Sequence, residues 1–293
     1  MAEQVGARSL VHAFEKAGVS TLFTLSGNHI MPIFDAVIDA SIELIHTRHE
    51  AATVHMADAY ARLTKKVGVA MVTGGPGHAN AVSALYTTAM AEAPVVLLSG
   101  HAPLNQLGKG AFQEMAQADI AAPLCKASWT CAGPEYLQAD FLLACAIAQA
   151  GRPGPVHLSL PSDALEGKLT QASASPSPSA PKLPAPQLLS AEHAKSIIAQ
   201  LHAAKKPVIL VGPRGCHRYP ALLQELSQAS GVPVIATESP RGIGDPSLGA
   251  FAEVLAQSDC VLLLDKKLDF TLKFGSSPSF MSDAKFMQVD SEA

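Results

Sequence analysis

The chain has 293 residues, enough for two domains with ample cores, and its 48% apolar content excludes a disordered chain. Its net charge of −4, from 21 basic and 25 acidic residues scattered along the sequence, leaves no basic stripe for nucleic acid. Apolar runs such as 141–148 are far too short to span a membrane, no secretory signal opens the chain, and five cysteines without a Cys-x-x-Cys pair suit reduced, mostly buried thiols in a cytoplasmic protein.

Leu10, Val11, Phe14 and Ala17 share one side of a predicted helix over 5–17, which Gly18 ends. A short strand over 21–25 leads to Ser26-Gly27-Asn28-His29. A helix follows over 30–40, with Pro32 in its first turn, where proline is tolerated. The strand 42–45 runs into Thr47-Arg48-His49-Glu50, and a helix covers 51–63. The almost continuous apolar run 67–72 has the pattern of a parallel strand buried on both faces. Thr73-Gly74-Gly75-Pro76-Gly77 breaks it before a helix over 78–91. Strand 94–98, helix 138–150 and strand 155–160 complete the first half.

The Ala/Ser/Pro-rich stretch 172–186 cannot form a core and is expected to be an extended, semi-stiff linker. Beyond it the alternation restarts. Helices are predicted over 191–203, 219–230 and 249–256, and strands over 207–211, 233–237, 260–264 and 285–289. The sequence stops just after that last strand, so the second domain is expected to be cut short.

Alternating strands and helices predict an α/β fold with a doubly wound parallel sheet. Parallel strands place the loops at 26–29, 48–50 and 73–77 on one edge of that sheet, where open α/β sheets build their sites. Each candidate also has a plain structural reading. A glutamate in a first helical turn complements the helix dipole and needs no other role. His49-Glu50 lacks the histidine at 53 that a zinc motif requires, since that residue is Thr53, and no metal site is expected. The glycine loop is neither Gly-x-Gly-x-x-Gly nor a phosphate loop with Gly-Lys-Ser/Thr, and by itself is a tight turn. Gly212-Pro213-Arg214-Gly215 is an equally weak signal for a dinucleotide phosphate. Phe112-Gln113-Glu114 has no meaning from first principles.

Taken together, several stretches resemble the thiamine-diphosphate-dependent enzymes of the acetolactate synthase-like superfamily. They are Gly27-Asn28-His29-Ile30, Arg48-His49-Glu50-Ala51-Ala52, Ala57-Asp58-Ala59-Tyr60-Ala61-Arg62, and Thr73-Gly74-Gly75-Pro76-Gly77 with Asn80. Pro94-Val95-Val96-Leu97-Leu98-Ser99-Gly100, Phe112-Gln113-Glu114 and Gly154-Pro155-Val156-His157-Leu158-Ser159-Leu160-Pro161 follow in family order. The likeness is strong over residues 1–165 and weaker over 188–293.

The resemblance implies a flavodoxin-like pyrimidine-binding domain over 1–170, a linker over 171–187, and an incomplete Rossmann-like central domain over 188–293. It implies that Glu50 is the carboxylate that hydrogen-bonds N1′ of the aminopyrimidine, and that Thr73, Gly74, Pro76 and Gly77 lie against that ring. Asn28, His29 and Gln113 would face the substrate side, with His29 and Gln113 handling protons or a carbonyl oxygen. Asn80 is assigned to subunit packing. The implied activity is carbon–carbon bond cleavage or ligation at a 2-keto acid, aldehyde or 2-hydroxyacyl compound, as a lyase, decarboxylase or transferase. The family holds the diphosphate and Mg²⁺ through a Gly-Asp-Gly run in a third domain. Here Gly244-Asp245 is followed by Pro246, so that domain is expected to be absent from this chain. Some relatives carry FAD in the central domain, for which these residues give no support. The implied partners are a second copy, through the pyrimidine domain, or a separate chain with the diphosphate-binding domain. The alternative is a non-catalytic subunit or interaction module that retains the fold.

Overall fold

The computed structural model describes residues 5–185, 188–238 and 241–291. The chain divides after Ala185 into two compact units.

The first unit runs α1 (Gly6–Lys16), β1 (Thr21–Thr24), α2 (Met31–Ala36), β2 (Glu43–His46), α3 (Glu50–Thr64), β3 (Gly68–Val72), α4 (Pro76–Met90) and β4 (Val95–His101). It continues through α5 (Gln117–Ala121), β5 (Ala127–Thr130), α6 (Leu137–Gln149), β6 (Val156–Pro161) and α7 (Ser162–Glu166). Its six strands stand in the order β2-β1-β3-β4-β6-β5, every pairing parallel. The order reverses around β1, whose neighbours are β2 and β3. In an open α/β sheet that reversal, at the carboxyl ends of the strands, is where ligands bind.

Strand periodicity sorts the core into two layers. Met71 of β3 and Leu98 of β4 face one side, where Leu10 and Phe14 of α1 meet Phe141 of α6. The rings of Phe14 and Phe141 pack edge to face with centroids 4.8 Å apart. Ala70, Val72 and Leu97 face the other side, against Val54, Ala57 and Ala61 of α3 and Ala81 and Leu85 of α4. The alanines on α3 let that helix lie very close to the sheet: a Cβ on Gly68 would stand 2.1 Å from the Ala57 carbonyl oxygen. Helices on both faces explain why β3 and β4 are buried at every position.

The structure departs from the sequence reading in several places, the unanticipated short helices α5 and α7 among them. The helix expected over 30–40 ends at Ala36, because Ala40 N–H turns back to the Val37 carbonyl at 3.0 Å in a tighter turn. The edge strand β5 was not anticipated; its four residues are mixed in polarity and mostly half-buried. The stretch expected as a spacer starts as a strap on the first unit. Ser177 is buried, and it donates to the buried Asp140 carboxylate through N–H at 2.7 Å and Oγ at 2.6 Å.

The second unit contains α8 (Ala191–Ala203), β7 (Pro207–Val211), α9 (Pro213–Arg218), α10 (Pro220–Ser230), β8 (Val234–Ala236), α11 (Phe251–Ala256), β9 (Cys260–Leu264) and β10 (Lys285–Val289). Its strands, all parallel, are ordered β10-β9-β7-β8. Val208, Leu210, Val261 and Leu263 pack on Phe251, Leu272 and Phe280 on one face, and Ile209 and Leu262 on Leu201 on the other. All five cysteines are free, and burial pushes the Cys125 and Cys145 thiols up to about 12, which leaves them unreactive at neutral pH. No helix among the described residues is long and apolar enough to cross a membrane.

Candidate functional site

The carboxyl edge of the first sheet gathers the loops after β1, β2 and β3 and the segment before α5. Glu50 is the first residue of α3, and His49 caps that helix by accepting Ala51 N–H on Nδ1 at 3.1 Å. Asn80, on the outer face of α4, donates to Glu50 Oε2 at 3.0 Å. Oε1 has no hydrogen-bond partner among the described residues. Asn80, which the sequence reading assigned to subunit packing, holds the carboxylate through this bond.

The glycine loop lies beside that free oxygen. A Cβ on Gly77 would stand 2.8 Å from Thr73 Cγ2 and 3.5 Å from Glu50 Oε1. A Cβ on Gly27 would stand 2.4 Å from Thr73 Cβ, so the first and third loops touch backbone to side chain. Gly75 has φ 61° and ψ −116°, a conformation that side-chain-bearing residues rarely adopt. Pro76 occupies the first position of α4 and is exposed, while Gly74 and Gly77 are buried.

Thr73 links the loop to the second candidate group. His29 Nδ1 lies 3.3 Å from Thr73 Oγ1, and the His29 ring stacks on Phe112 with centroids 5.7 Å apart. Phe112 itself is 65% exposed. Burial pushes His29 below its ordinary value, with the Phe112 carbonyl opposing, so the ring is neutral at pH 7 and can take or give a proton. Gln113 is half-buried with φ 55°, a strained conformation for a non-glycine residue. Its Cβ would be 2.7 Å from one placed on Gly75. The loop leading to it is fixed by Glu114, which accepts from Gly108 N–H at 2.5 Å and Ala111 N–H at 3.1 Å. Asn28 begins a 3₁₀ turn and is exposed, with no side-chain hydrogen bond among the described residues.

Thus Glu50, Thr73, Gly77, His29 and Gln113 form one connected edge, with Asn28 at its rim. No group of three or more His, Cys, Asp or Glu among the described residues could hold a metal ion. Residues that the sequence reading missed support this edge from beneath. Gln117 bonds to Gly75, and His78 follows Gly77 directly. No sequence pattern marks either, because both act through long-range contacts.

The imidazoles of His78 and His157 are buried with ring centroids 4.6 Å apart. Ser128 gives its hydroxyl proton to the Ala118 carbonyl at 2.7 Å, so His157 Nδ1, 2.8 Å from that hydroxyl, must be the donor. His78 Nδ1 lies 2.9 Å from Ser99 Oγ, and neither Nε2 has a partner among the described residues. Burial lowers His78 to about 4 and moves His157 in the same direction. The unfolded chain therefore binds protons that the folded chain refuses. Stability is complete above about pH 6.5, the ordinary value, and falls as pH drops toward 4. At pH 5 the His78 contribution alone is a loss of roughly 2 kcal/mol. Urea unfolding at pH 7 and pH 5, followed by fluorescence of the single tryptophan, Trp129 in β5, measures it. Equal midpoints at the two pH values would contradict this account.

Residues 4–120 match the family description "Thiamine pyrophosphate enzyme, N-terminal TPP binding domain", and residues 194–293 match "Thiamine pyrophosphate enzyme, central domain". The chain is similar to a probable acetolactate synthase large subunit of Methanocaldococcus jannaschii, 36% identical over 71% of this chain and 35% of that protein. It is similar to an acetolactate synthase of Mycobacterium bovis, 31% identical over 97% of this chain and 48% of the relative. A 2-hydroxyacyl-CoA lyase 2 of Danio rerio is 42% identical over 55% of this chain and 26% of its own length. The chain spans about half the length, or less, of these relatives.

Proposed function

The chain belongs to the thiamine-diphosphate-dependent enzymes of the acetolactate synthase-like superfamily, and we propose on that premise that it supplies the aminopyrimidine side of a carbon–carbon lyase or carboligase site. The observation that carries this reading is the Glu50 carboxylate, with Oε2 held by Asn80 and Oε1 free beside Gly77. A free acceptor next to a cradle that a single Cβ would fill fits a flat, protonatable ring.

When bound, thiamine diphosphate supplies a carbon nucleophile that attacks a substrate carbonyl. The residues of this chain would do the rest at fixed atoms. Glu50 Oε1 holds a proton on the ring nitrogen that faces it. Thr73, Gly74, Pro76 and Gly77 would form the wall against the ring and exclude water from it. His29, neutral and hydrogen-bonded to Thr73, moves a proton to or from the substrate oxygen, and Gln113 orients that oxygen with its amide. Asn28 stands at the mouth on the substrate side.

We assign the pyrimidine-binding domain to residues 1–170, the linker to 171–187, and the central domain to 188–293. The diphosphate and its Mg²⁺ would be held by residues outside this sequence. Substrates would be 2-keto acids, aldehydes or 2-hydroxyacyl compounds, and the site cytoplasmic. A second copy would pair through the pyrimidine domain, where the exposed face of α4 carries Ala79, Asn80, Ser83, Tyr86, Thr87 and Met90 without a single charge.

Calorimetric titration of the chain with thiamine diphosphate and Mg²⁺ tests the reading. The expected result is weak saturable binding, with a dissociation constant of roughly a millimolar, because only one side of the site is present. Light scattering on the same sample should give a dimer mass. No heat at millimolar cofactor would overturn the pyrimidine site, and a monomer mass would overturn the pairing.

A further inference from the structure

Gln117 plays no part in the motifs that carry the family likeness, yet its side chain bonds to the glycine turn and to the two strands β4 and β6. It is 1% exposed. Its Oε1 accepts from Gly75 N–H at 2.8 Å, and its Nε2 donates to the Gly100 carbonyl at 3.0 Å and to Ser159 Oγ at 3.2 Å. The orientation of the amide is fixed by these partners, since Gly75 N–H can only donate and the Gly100 carbonyl can only accept. β3, β4 and β6 are neighbours in the sheet, so one side chain pins the carboxyl ends of three adjacent strands.

Gly75 is the strained member of the loop and the surface on which Gln113 rests. Its carbonyl accepts Ala79 N–H at 3.0 Å at the start of α4, but its N–H points inward, away from water, and takes no part in helix or strand bonding. The Gln117 carbonyl is the partner that makes this orientation tenable.

We propose that Gln117 is a positioning residue for the reaction, whose amide holds the 73–77 loop in the peptide orientation that Gln113 and the aminopyrimidine wall require. What the loop faces rests on the function proposed above; the hydrogen bonds do not.

Hydrogen–deuterium exchange on the full chain tests this, with Gln117→Leu and Gln117→Glu compared with the native protein at each pH. In Gln117→Leu, amides at 73–77 should exchange about tenfold faster or more, while the amides of β3 and β4 keep native rates. Gln117→Glu carries its own control. The protonated carboxyl keeps an acceptor for Gly75 N–H and one O–H donor for the Gly100 carbonyl, giving up only the donation to Ser159 Oγ, whereas the ionised carboxylate turns lone pairs toward the Gly100 carbonyl. Its exchange at 73–77, relative to native, should therefore be near unity at low pH and rise as the carboxyl ionises. Lost packing alone gives no such rise. A native exchange rate at 73–77 in both variants would overturn the proposal. So would acceleration spread evenly over the sheet with no pH dependence in Gln117→Glu. Thiamine diphosphate with Mg²⁺ should slow exchange at 73–77 in the native chain and not in Gln117→Leu. If the cofactor leaves the native loop unchanged, the aminopyrimidine reading falls, and the cofactor-free exchange still decides the role of Gln117.

Discussion

Glu50→Gln should lower the rate of carbon–carbon bond making or breaking, in the assembly that contains this chain, by roughly 10²- to 10⁴-fold. It should do so with little loss of stability. The side chain is half-buried at the start of α3, and glutamine keeps an oxygen for Asn80 Nδ2, so the substitution leaves no buried orphan. What disappears is the negative charge. Its favourable interaction with the helix amino terminus is worth about 0.3–1 kcal/mol, and the unfolding free energy reported by Trp129 should change by no more than that. The catalytic loss has a separate origin. A neutral amide cannot stabilise a protonated ring nitrogen, so the proton transfers that depend on that nitrogen slow in every cycle. Substrate turnover and urea unfolding, measured on the same preparation, separate the two effects. Turnover within threefold of native would remove Glu50 from the chemistry. A large stability loss with proportionate activity loss would recast it as a structural residue.

The elements that carry this residue were legible because each is locally encoded. The apolar run of β3, buried at every position, announced a strand covered on both faces. The loop ends at Ser26, Arg48 and Thr73 followed from strand-to-helix boundaries, and parallel pairing put them on one edge. The roles of Glu50, His29 and Gln113 came from likeness to a family, since nothing in a lone glutamate or histidine distinguishes a site from a surface. The supporting contacts stayed hidden for a different reason. The bond from Asn80 to Glu50 joins residues 30 apart, and Gln117 to Gly75 spans 42. Such pairs exist only once the sheet order is known. The pairing of His78 with His157 joins α4 to β6 and was likewise outside the reach of periodicity. The edge strand β5 was missed because four residues of mixed polarity, all but Trp129 half-buried, give no alternation to read.

Gly75→Ala should be strongly destabilising. Two independent effects add. The backbone at φ 61°, ψ −116° is open to glycine and disfavours every side-chain-bearing residue, a penalty of about 1–3 kcal/mol. The new methyl carbon would also stand 2.7 Å from Gln113 Cβ and 3.0 Å from the Gln113 carbonyl oxygen, well inside van der Waals contact. Gln113 cannot simply retreat, because its own φ of 55° is set by the turn that Glu114 braces through Gly108 and Ala111. Overpacking of this kind costs about 1–3 kcal/mol more. The summed expectation is roughly 2–6 kcal/mol, read as a fall in the urea midpoint of Trp129 fluorescence. If the loop relaxes instead, the Gly75 peptide turns away from Gln117 and leaves that buried amide oxygen unpaired, so relaxation does not restore native stability. Gly108→Ala provides the contrast: its φ is 78°, yet nothing lies within 4 Å of its added methyl, so only the backbone penalty applies. A Gly75→Ala protein no less stable than Gly108→Ala would show that the loop and Gln113 are not packed as described. The site would then lack the rigid wall that its chemistry requires.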